Sequence, residues 1–275
     1  MFKILEKKVL NSSVTALTLS APFIAKKVMP GQFVIVRIDE KGERIPLTVA
    51  DFDREKGTVT IIFQAAGYTT KKLALMSEGE YILNCVGPLG KATKFGSPKK
   101  AIVIGGGVGC AIAYPSAKAL FNMGVQTKVI AGFRNKDIVI LEDEMRAVSN
   151  EYFVTTDDGS YGEKGFVTDV LKRIIETEDI DLVIAIGPIP MMKFVSKVTE
   201  EKGIKTIVSL NPIMIDGTGM CGGCRVNVGG EIKFACVDGP DFDGHLVDFD
   251  SLMSRNSFYR EEEAHACRLG GAFNG

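Results

Sequence analysis

Lys100-Ala-Ile-Val-Ile-Gly-Gly-Gly-Val-Gly109 passes from an apolar strand directly into a glycine turn. Ala101 to Ile104 reads as a buried strand, Gly105 to Gly109 as a turn, and Ala111 to Met123 as a helix in which Pro115 stands early enough to be tolerated. The missing side chains at Gly105, Gly106, Gly107 and Gly109 let the phosphates of a dinucleotide approach backbone N–H groups and the positive end of the helix. The letters depart from G-x-G-x-x-G, because Cys110 occupies the third glycine's place and no acidic residue closes the next strand at Ala131-Gly-Phe-Arg134. Any tight strand-to-helix turn can use glycines, and Cys110 equally reads as a small apolar packing residue.

Downstream the same rhythm continues. Strands at Gln126 to Ala131, Tyr152 to Thr155, Leu182 to Ile186 and Thr206 to Leu210 alternate with helices from about Gly165 to Ile175 and Pro190 to Glu201. That alternation predicts a parallel sheet wound right-handedly, an α/β nucleotide-binding domain over residues 98–212. Upstream the rhythm differs. Short strands at Phe2 to Val9, Val14 to Leu19, Phe33 to Ile38, Thr58 to Gln64 and Glu80 to Val86 are punctuated by Pro30-Gly31, Lys41-Gly42 and Gly87-Pro88. Evenly spaced short strands of this kind predict an antiparallel β-barrel over residues 1–97.

The third unit, residues 213–275, opens with Asp216-Gly-Thr-Gly-Met-Cys-Gly-Gly-Cys224 and reaches Cys236 after a hairpin-like segment. Six cysteines occur in 275 residues, and three of them crowd into this stretch. The chain opens with Met1-Phe-Lys-Ile-Leu and then Glu6-Lys-Lys, which is not a signal peptide, and it has no apolar run of membrane-spanning length. A cytoplasmic chain keeps thiols reduced, so a clustered C-x2-C points to metal rather than to a disulfide. Asp216, Cys221 and Cys224 stand in the C-x4-C-x2-C register of [2Fe–2S] loops, with aspartate first. Asp216, Cys221, Cys224 and Cys236 are therefore the expected ligands. Zinc also accepts three cysteines and one further donor, and Asp238, His245 and Cys267 rival Asp216 for the fourth place.

Net charge is −1, which gives no support to nucleic-acid binding, and no charged tail suggests a membrane surface. Only two histidines occur, which argues against histidine acid–base chemistry and leaves cofactor-borne hydride or electron transfer open. Within the barrel, Arg44-Ile-Pro46-Leu47-Thr48 offers a cation, a rigid bend and a hydroxyl, the outline of a flavin-diphosphate clamp, although Arg44 also reads as an ordinary surface cation. Gly67-Tyr-Thr69-Thr70 supplies amides and hydroxyls to the same phosphates, and Gly87-Pro-Leu-Gly90 closes the domain. Phe52, Phe63, Phe95 and Phe273 can flank a flavin under the glycine-rich end Gly270–Phe273, or simply fill a core.

In this order the motifs resemble the ferredoxin–NADP reductase superfamily, in which R-x-P-x-T/S and G-x-x-T mark a flavin barrel and G-G-G-x-G opens a nicotinamide domain. Thr156-Asp-Asp-Gly-Ser-Tyr-Gly162, Ile186-Gly187-Pro188 with Met191-Met192-Lys193, and Leu210 to Cys224 resemble two groups within it. One is the electron-transfer subunit of bacterial dihydroorotate dehydrogenase. The other, which resembles the chain more closely because aspartate stands first among the ligands, is the small subunit of NADH-dependent ferredoxin:NADP oxidoreductases, the electron-bifurcating enzymes also labelled sulfide dehydrogenases. Ile186 stands where many reductases of the superfamily place a cysteine.

The resemblance implies FAD on the barrel and NAD(H), or NADP(H), on the second domain, with Asp157, Asp158, Gly187 and Pro188 beside the dinucleotide. It implies a [2Fe–2S] cluster and a larger flavoprotein subunit with further iron–sulfur centres, leading indirectly to ferredoxin. The tail around Phe258-Tyr-Arg-Glu is the docking surface this reading suggests. Dihydroorotate or sulfide and polysulfide chemistry, and a zinc-bearing nucleotide sensor, are the competing functional readings.

Overall fold

The computed structural model describes residues 1–258, with His265 and Arg268 beyond them. Cys267, Phe273 and the rest of the glycine-rich end, and Tyr259 onward of the suggested docking tail, lie outside the described residues.

The first unit holds seven strands, β1 (Phe2–Val9), β2 (Val14–Ser20), β3 (Phe33–Arg37), β4 (Ile45–Asp53), β5 (Thr58–Gln64), β6 (Tyr81–Ile82) and β7 (Asn84–Leu89), with helices α1 (Pro22–Ala25) and α2 (Tyr68–Leu75). They pair antiparallel in the order β6-β1-β2-β5-β4-β3-β7. A flat sheet would hold its end strands about 29 Å apart, six spacings of about 4.8 Å. Here only Leu83 separates β6 from β7, and its N–H donates to Ile38 O at 3.1 Å, so the sheet curls back on itself. Alternate residues point inward: Leu17 and Leu19, Val34 and Val36, and Val59, Ile61 and Phe63 share one core, with Phe52 against it.

Two local differences from the sequence reading have clear causes. The expected strand Glu80 to Val86 is two strands, because the chain changes sheet ends at Leu83. The clamp segment is itself the start of a strand despite Pro46. There β4 pairs only with β3, Pro46 opposite Ile35, and it reaches β5 from Val49 onward. A residue without an N–H is tolerated where one side has no neighbour.

The second unit contains β8 (Lys100–Gly106), β9 (Gln126–Phe133), β10 (Glu151–Thr156), β11 (Glu163–Lys164), β12 (Leu182–Ile186) and β13 (Lys205–Ser209). Its helices are α3 (Gly109–Asn122), α4 (Glu142–Ala147), α5 (Val167–Thr177) and α6 (Ile189–Glu200). The strands run parallel in the order β11-β10-β9-β8-β12-β13. Val103 of β8 faces the core built on α3, while Ile102 and Ile104 face the core built on α5 and α6. Cover on both faces explains why the strand is continuously apolar.

The C-terminal segment folds into the other two units. After the thiol-rich loop, β14 (Arg225–Val228) and β15 (Glu231–Phe234) form a hairpin whose two turn residues, Gly229 and Gly230, both have positive φ (62° and 79°), as a two-residue mirror-image turn requires. Then β16 (Asp241–Asp243) joins β13 antiparallel as the sheet's last strand. Helix α7 (Phe249–Arg255) adds Phe249 and Leu252 to the α5–α6 core. A separate small core unites Phe33 and Ile35 of β3 with Cys224, Ala235 and Cys236, so the thiols pack on the barrel. Among the described residues no helix is long and apolar enough to cross a membrane.

Candidate functional site

From β8 the sheet grows to one side through β9 and to the other through β12, so the winding reverses between β8 and β12. In open α/β sheets the crevice outside the carboxyl ends of such a pair binds ligands. Here that crevice is lined by Gly105 to Gly109 and by Gly187 and Pro188. A Cβ on Gly109 would lie 2.4 Å from Ile186 O, and one on Gly106 2.9 Å from Pro188 Cδ. One on Gly187 would lie 3.0 Å from Gly106 Cα, so the two loops meet backbone to backbone. Gly107 has φ +56°, donates its N–H to Gly132 O at 2.8 Å, and faces open space. A phosphate group can therefore approach the amino end of the 14-residue α3.

Cys110 turns inward here. A Cβ on Gly105 would meet its sulfur at 2.7 Å, and burial pushes its thiol up to about 12, so it packs beneath the turn. Asp157 and Asp158 are exposed at the carboxyl end of β10, two strands from β8. Asp158 accepts from Ser160 N at 2.9 Å and Ser160 Oγ at 2.7 Å, and these bonds hold its carboxyl below the usual range. Its carboxylate is thus spent partly on its own turn.

On the barrel, Arg44 is exposed and leads into β4, where Pro46, Leu47 and Thr48 stand opposite Ile35, Val34 and Phe33. Gly67 precedes α2 in extended conformation, and its N–H donates to Thr70 Oγ1 at 3.0 Å. Thr69 Oγ1 donates to Glu43 Oε2 at 2.5 Å, tying the amino end of α2 to the residue beside Arg44. Sequence reading found Arg44 and Gly67 to Thr70 separately and missed Glu43, the group that joins them.

The thiol-rich loop turns through left-handed glycines, Gly217 (φ +80°), Gly219 (+89°) and Gly222 (+66°). Cys224 and Cys236 are buried with their sulfurs 3.2 Å apart, whereas Cys221 is exposed. Backbone amides face two sulfurs: Gly223 N donates to Cys221 Sγ at 3.4 Å, and Cys236 N to Cys224 Sγ at 3.5 Å. Burial pushes the Cys236 thiol up to about 12, with Cys224 adding to the shift. Asp216 is half-buried and accepts from Thr218 Oγ1 at 2.8 Å, Thr218 N at 3.0 Å and Met220 N at 3.2 Å. These bonds, with the charge of Arg44 as a smaller cause, hold its carboxyl below the usual range.

Two rivals for the fourth place are engaged elsewhere. Asp238 accepts from Phe234 N at 2.8 Å and lies 3.6 Å from Lys91 Nζ, and His245 Nε2 is 3.0 Å from Thr199 Oγ1 on α6. Among the described residues no three His, Cys, Asp or Glu side chains converge on one point. Of the four donors, Cys224 and Cys236 are buried and in contact, Asp216 is half-buried and Cys221 is exposed. Three thiols and a carboxylate in one short stretch are a donor set that suits a two-iron cluster, which takes two protein ligands per iron.

Beside these donors in the chain stand two exposed apolar side chains. Met220 is 87% and Ile215 55% exposed, and Ile215 lines a cavity of about 60 Å³ with Ile213, Gly223, Arg255, Asn256 and Phe258.

Residues 103–197 match the model of the oxidoreductase NAD-binding domain, and residues 211–248 that of the iron–sulfur cluster binding domain of dihydroorotate dehydrogenase B. An uncharacterized protein of Clostridium beijerinckii is 51% identical, over 97% of this chain and 93% of its own length. A Thermotoga maritima homologue of the dihydroorotate dehydrogenase B (NAD(+)) electron transfer subunit is 46% identical, over 95% and 92%. A chain from the structure of an NADH-dependent reduced ferredoxin-NADP oxidoreductase, solved to explain flavin-based electron bifurcation, superposes with a TM-score of 0.93 at 45% identity, covering 98% of this chain and 97% of that one.

Proposed function

Because the chain belongs to the family of dihydroorotate dehydrogenase B electron transfer subunits and their homologues, within the ferredoxin–NADP reductase superfamily, we propose that it links NAD(H) to a larger flavoprotein subunit. When bound, FAD supplies a two-electron acceptor for hydride and the [2Fe–2S] cluster a one-electron carrier. Arg44, with the amino end of α2 at Gly67, Thr69 and Thr70, holds the flavin diphosphate, and Pro46, Leu47 and Thr48 set the edge of the flavin ring. Gly105, Gly106, Gly107 and Gly109 take the nicotinamide dinucleotide's pyrophosphate, with Gly187 and Pro188 closing the crevice and Asp157 and Asp158 toward its ribose. Asp216, Cys221, Cys224 and Cys236 hold the cluster. NADH is the preferred donor, and a reduction rate higher with NADPH would reverse that assignment.

The observation that carries this reading is the small core in which Cys224 and Cys236 pack on Phe33, the residue paired with Thr48 of the clamp strand. One strand, β3, thereby lies between Thr48 and the thiol-rich loop. The partner docks on the apolar rim around Met220 and Ile215, next to Asp216 and Cys221. The partner is a flavoprotein with further iron–sulfur centres, leading to ferredoxin and NADP(H) in an electron-bifurcating assembly working in the cytoplasm. The test is the visible spectrum and an iron and acid-labile sulfide count on anaerobically purified protein. Flavin bands with iron and sulfide are expected, with the cluster depleted in Asp216→Ala and retained in Asp216→Cys. A colourless, zinc-containing protein would end the proposal.

A further inference from the structure

Three segments that serve three different sites knot together beside β3. The barrel turn at Pro30-Gly31 leads into β3. The connection Gly90 to Thr93 runs from the barrel to the parallel sheet, and Gly239 to Asp241 runs from the thiol-rich loop to β16. Backbone bonds join them: Thr93 N donates to Pro30 O at 2.9 Å, Lys91 N to Gly239 O at 2.6 Å, and Leu210 N to Pro240 O at 2.9 Å. Gln32 Nε2 adds a bond to Gly90 O at 2.8 Å. At the centre, Thr93 Oγ1 donates to Asp241 Oδ2 at 2.5 Å, directly against Gly31. A Cβ on Gly31 would lie 2.2 Å from that Thr93 hydroxyl and 2.9 Å from Asp241 Oδ2, so glycine is required for the three to close.

Asp241 is an expensive residue for such a place. Its Oδ1 is shut off from solvent and has no hydrogen-bond partner. Ser209, its neighbour across the β13–β16 ladder, is near enough to act on the carboxyl's charge but not in hydrogen-bonding geometry. A buried polar atom without a partner is destabilising, so a neutral packing residue would serve stability better. What Asp241 provides instead is a fixed acceptor for Thr93 where the barrel, the sheet and the segment after Cys236 meet.

We propose that Asp241 is a positioning residue for electron transfer. Through Thr93 it sets the placement of the flavin barrel against the nicotinamide crevice while anchoring the segment that follows Cys236. The inference rests on the cofactor assignment proposed above. Neither Asp241 nor Thr93 belongs to the residues assigned there to a cofactor, so their effect must appear in a rate and not in cofactor content.

The test uses the full chain with its cofactors, under anaerobic conditions, in the variants Asp241→Ala, Asp241→Asn and Thr93→Val. Stopped-flow bleaching of the flavin at saturating NADH gives the first-order reduction rate, and a titration gives the NADH Kd. A misplacement near 1 Å can cost up to about a hundredfold, so a slowing of about tenfold is expected in Asp241→Ala and Thr93→Val. NADH Kd, flavin content and iron content should stay at wild-type values. Asp241→Asn, which keeps an acceptor for Thr93, should restore the rate to within about twofold of wild type. Wild-type rates in Thr93→Val, or an Asn variant as slow as the Ala variant, would overturn the inference. If Asp241→Ala fails to fold, Thr93→Val decides alone. Wild-type protein without flavin would instead count against the cofactor assignment.

Discussion

The dinucleotide crevice and the thiol-rich loop are both glycine-rich, yet glycine serves opposite purposes in them. In the crevice it removes side chains so that regular elements can touch: Gly109 lies under Ile186 O, and Gly106 lies against Pro188 and Met191. The resulting surface is backbone held by a sheet covered on both faces. In the loop, glycine supplies left-handed turns that carry side-chain donors, and only Cys224 and Cys236 are brought together. Asp216 is half-buried and Cys221 exposed. The crevice is thus shaped by backbone contacts, and the loop by the side chains its turns carry.

The largest effect expected from breaking this contrast is in the crevice. Gly109→Ala forces a backbone shift against Ile186 and should lower stability by about 3 kcal/mol, read as a denaturant midpoint, together with loss of NADH binding. The floor of the same sheet depends on Lys128, whose side chain is buried against Glu151 and lies 2.7 Å from Glu178. Lys128→Ala leaves two partly exposed carboxylates facing each other and should cost about 2 kcal/mol in the same assay. On the loop, Met220→Asp should weaken the partner complex about tenfold in Kd by titration calorimetry, with an unchanged cluster spectrum. Removing iron with a chelator should leave NADH binding intact, because the crevice owes nothing to the cluster. A fall in affinity after chelation would erase the contrast.

The smallest expected effect is one of pH. The Lys128 bond holds the Glu178 carboxyl below its ordinary value of 4.5. Its contribution to stability is therefore present above about that pH and fades as the pH falls through the lowered value. Lys128→Ala should flatten this part of the acid unfolding profile.

The regular parts of the molecule were legible in the sequence because period and punctuation encode them. Apolar strands, glycine turns and helices followed in the right order from Lys100 to Ser209, and the strand patterns of the barrel gave most of its sheet. What escaped was set by contacts distant along the chain. Pro46 hid β4, since nothing local tells that one side of the strand lacks a neighbour there. Glu43 carried no motif, and its bond to Thr69 spans 26 positions. The spacing from Asp216 to Cys224 was readable as letters, but the burial of Cys224 and Cys236 against Phe33 and Ile35, nearly two hundred residues from them along the chain, was not. β16 has only three residues, too few for any period to show.

That short strand has a consequence for how the chain can be divided. By covering the outer side of β13 it leaves Ile207 and Val208 paired instead of bare. A fragment cut after Leu210, which would look like a self-sufficient reductase module, would expose that ladder as a template for stacking with other copies. Dissection of this polypeptide into independent parts should therefore yield precipitate from the shorter piece, and any natural shuffling of the cluster region would have to bring its own replacement for the lost border.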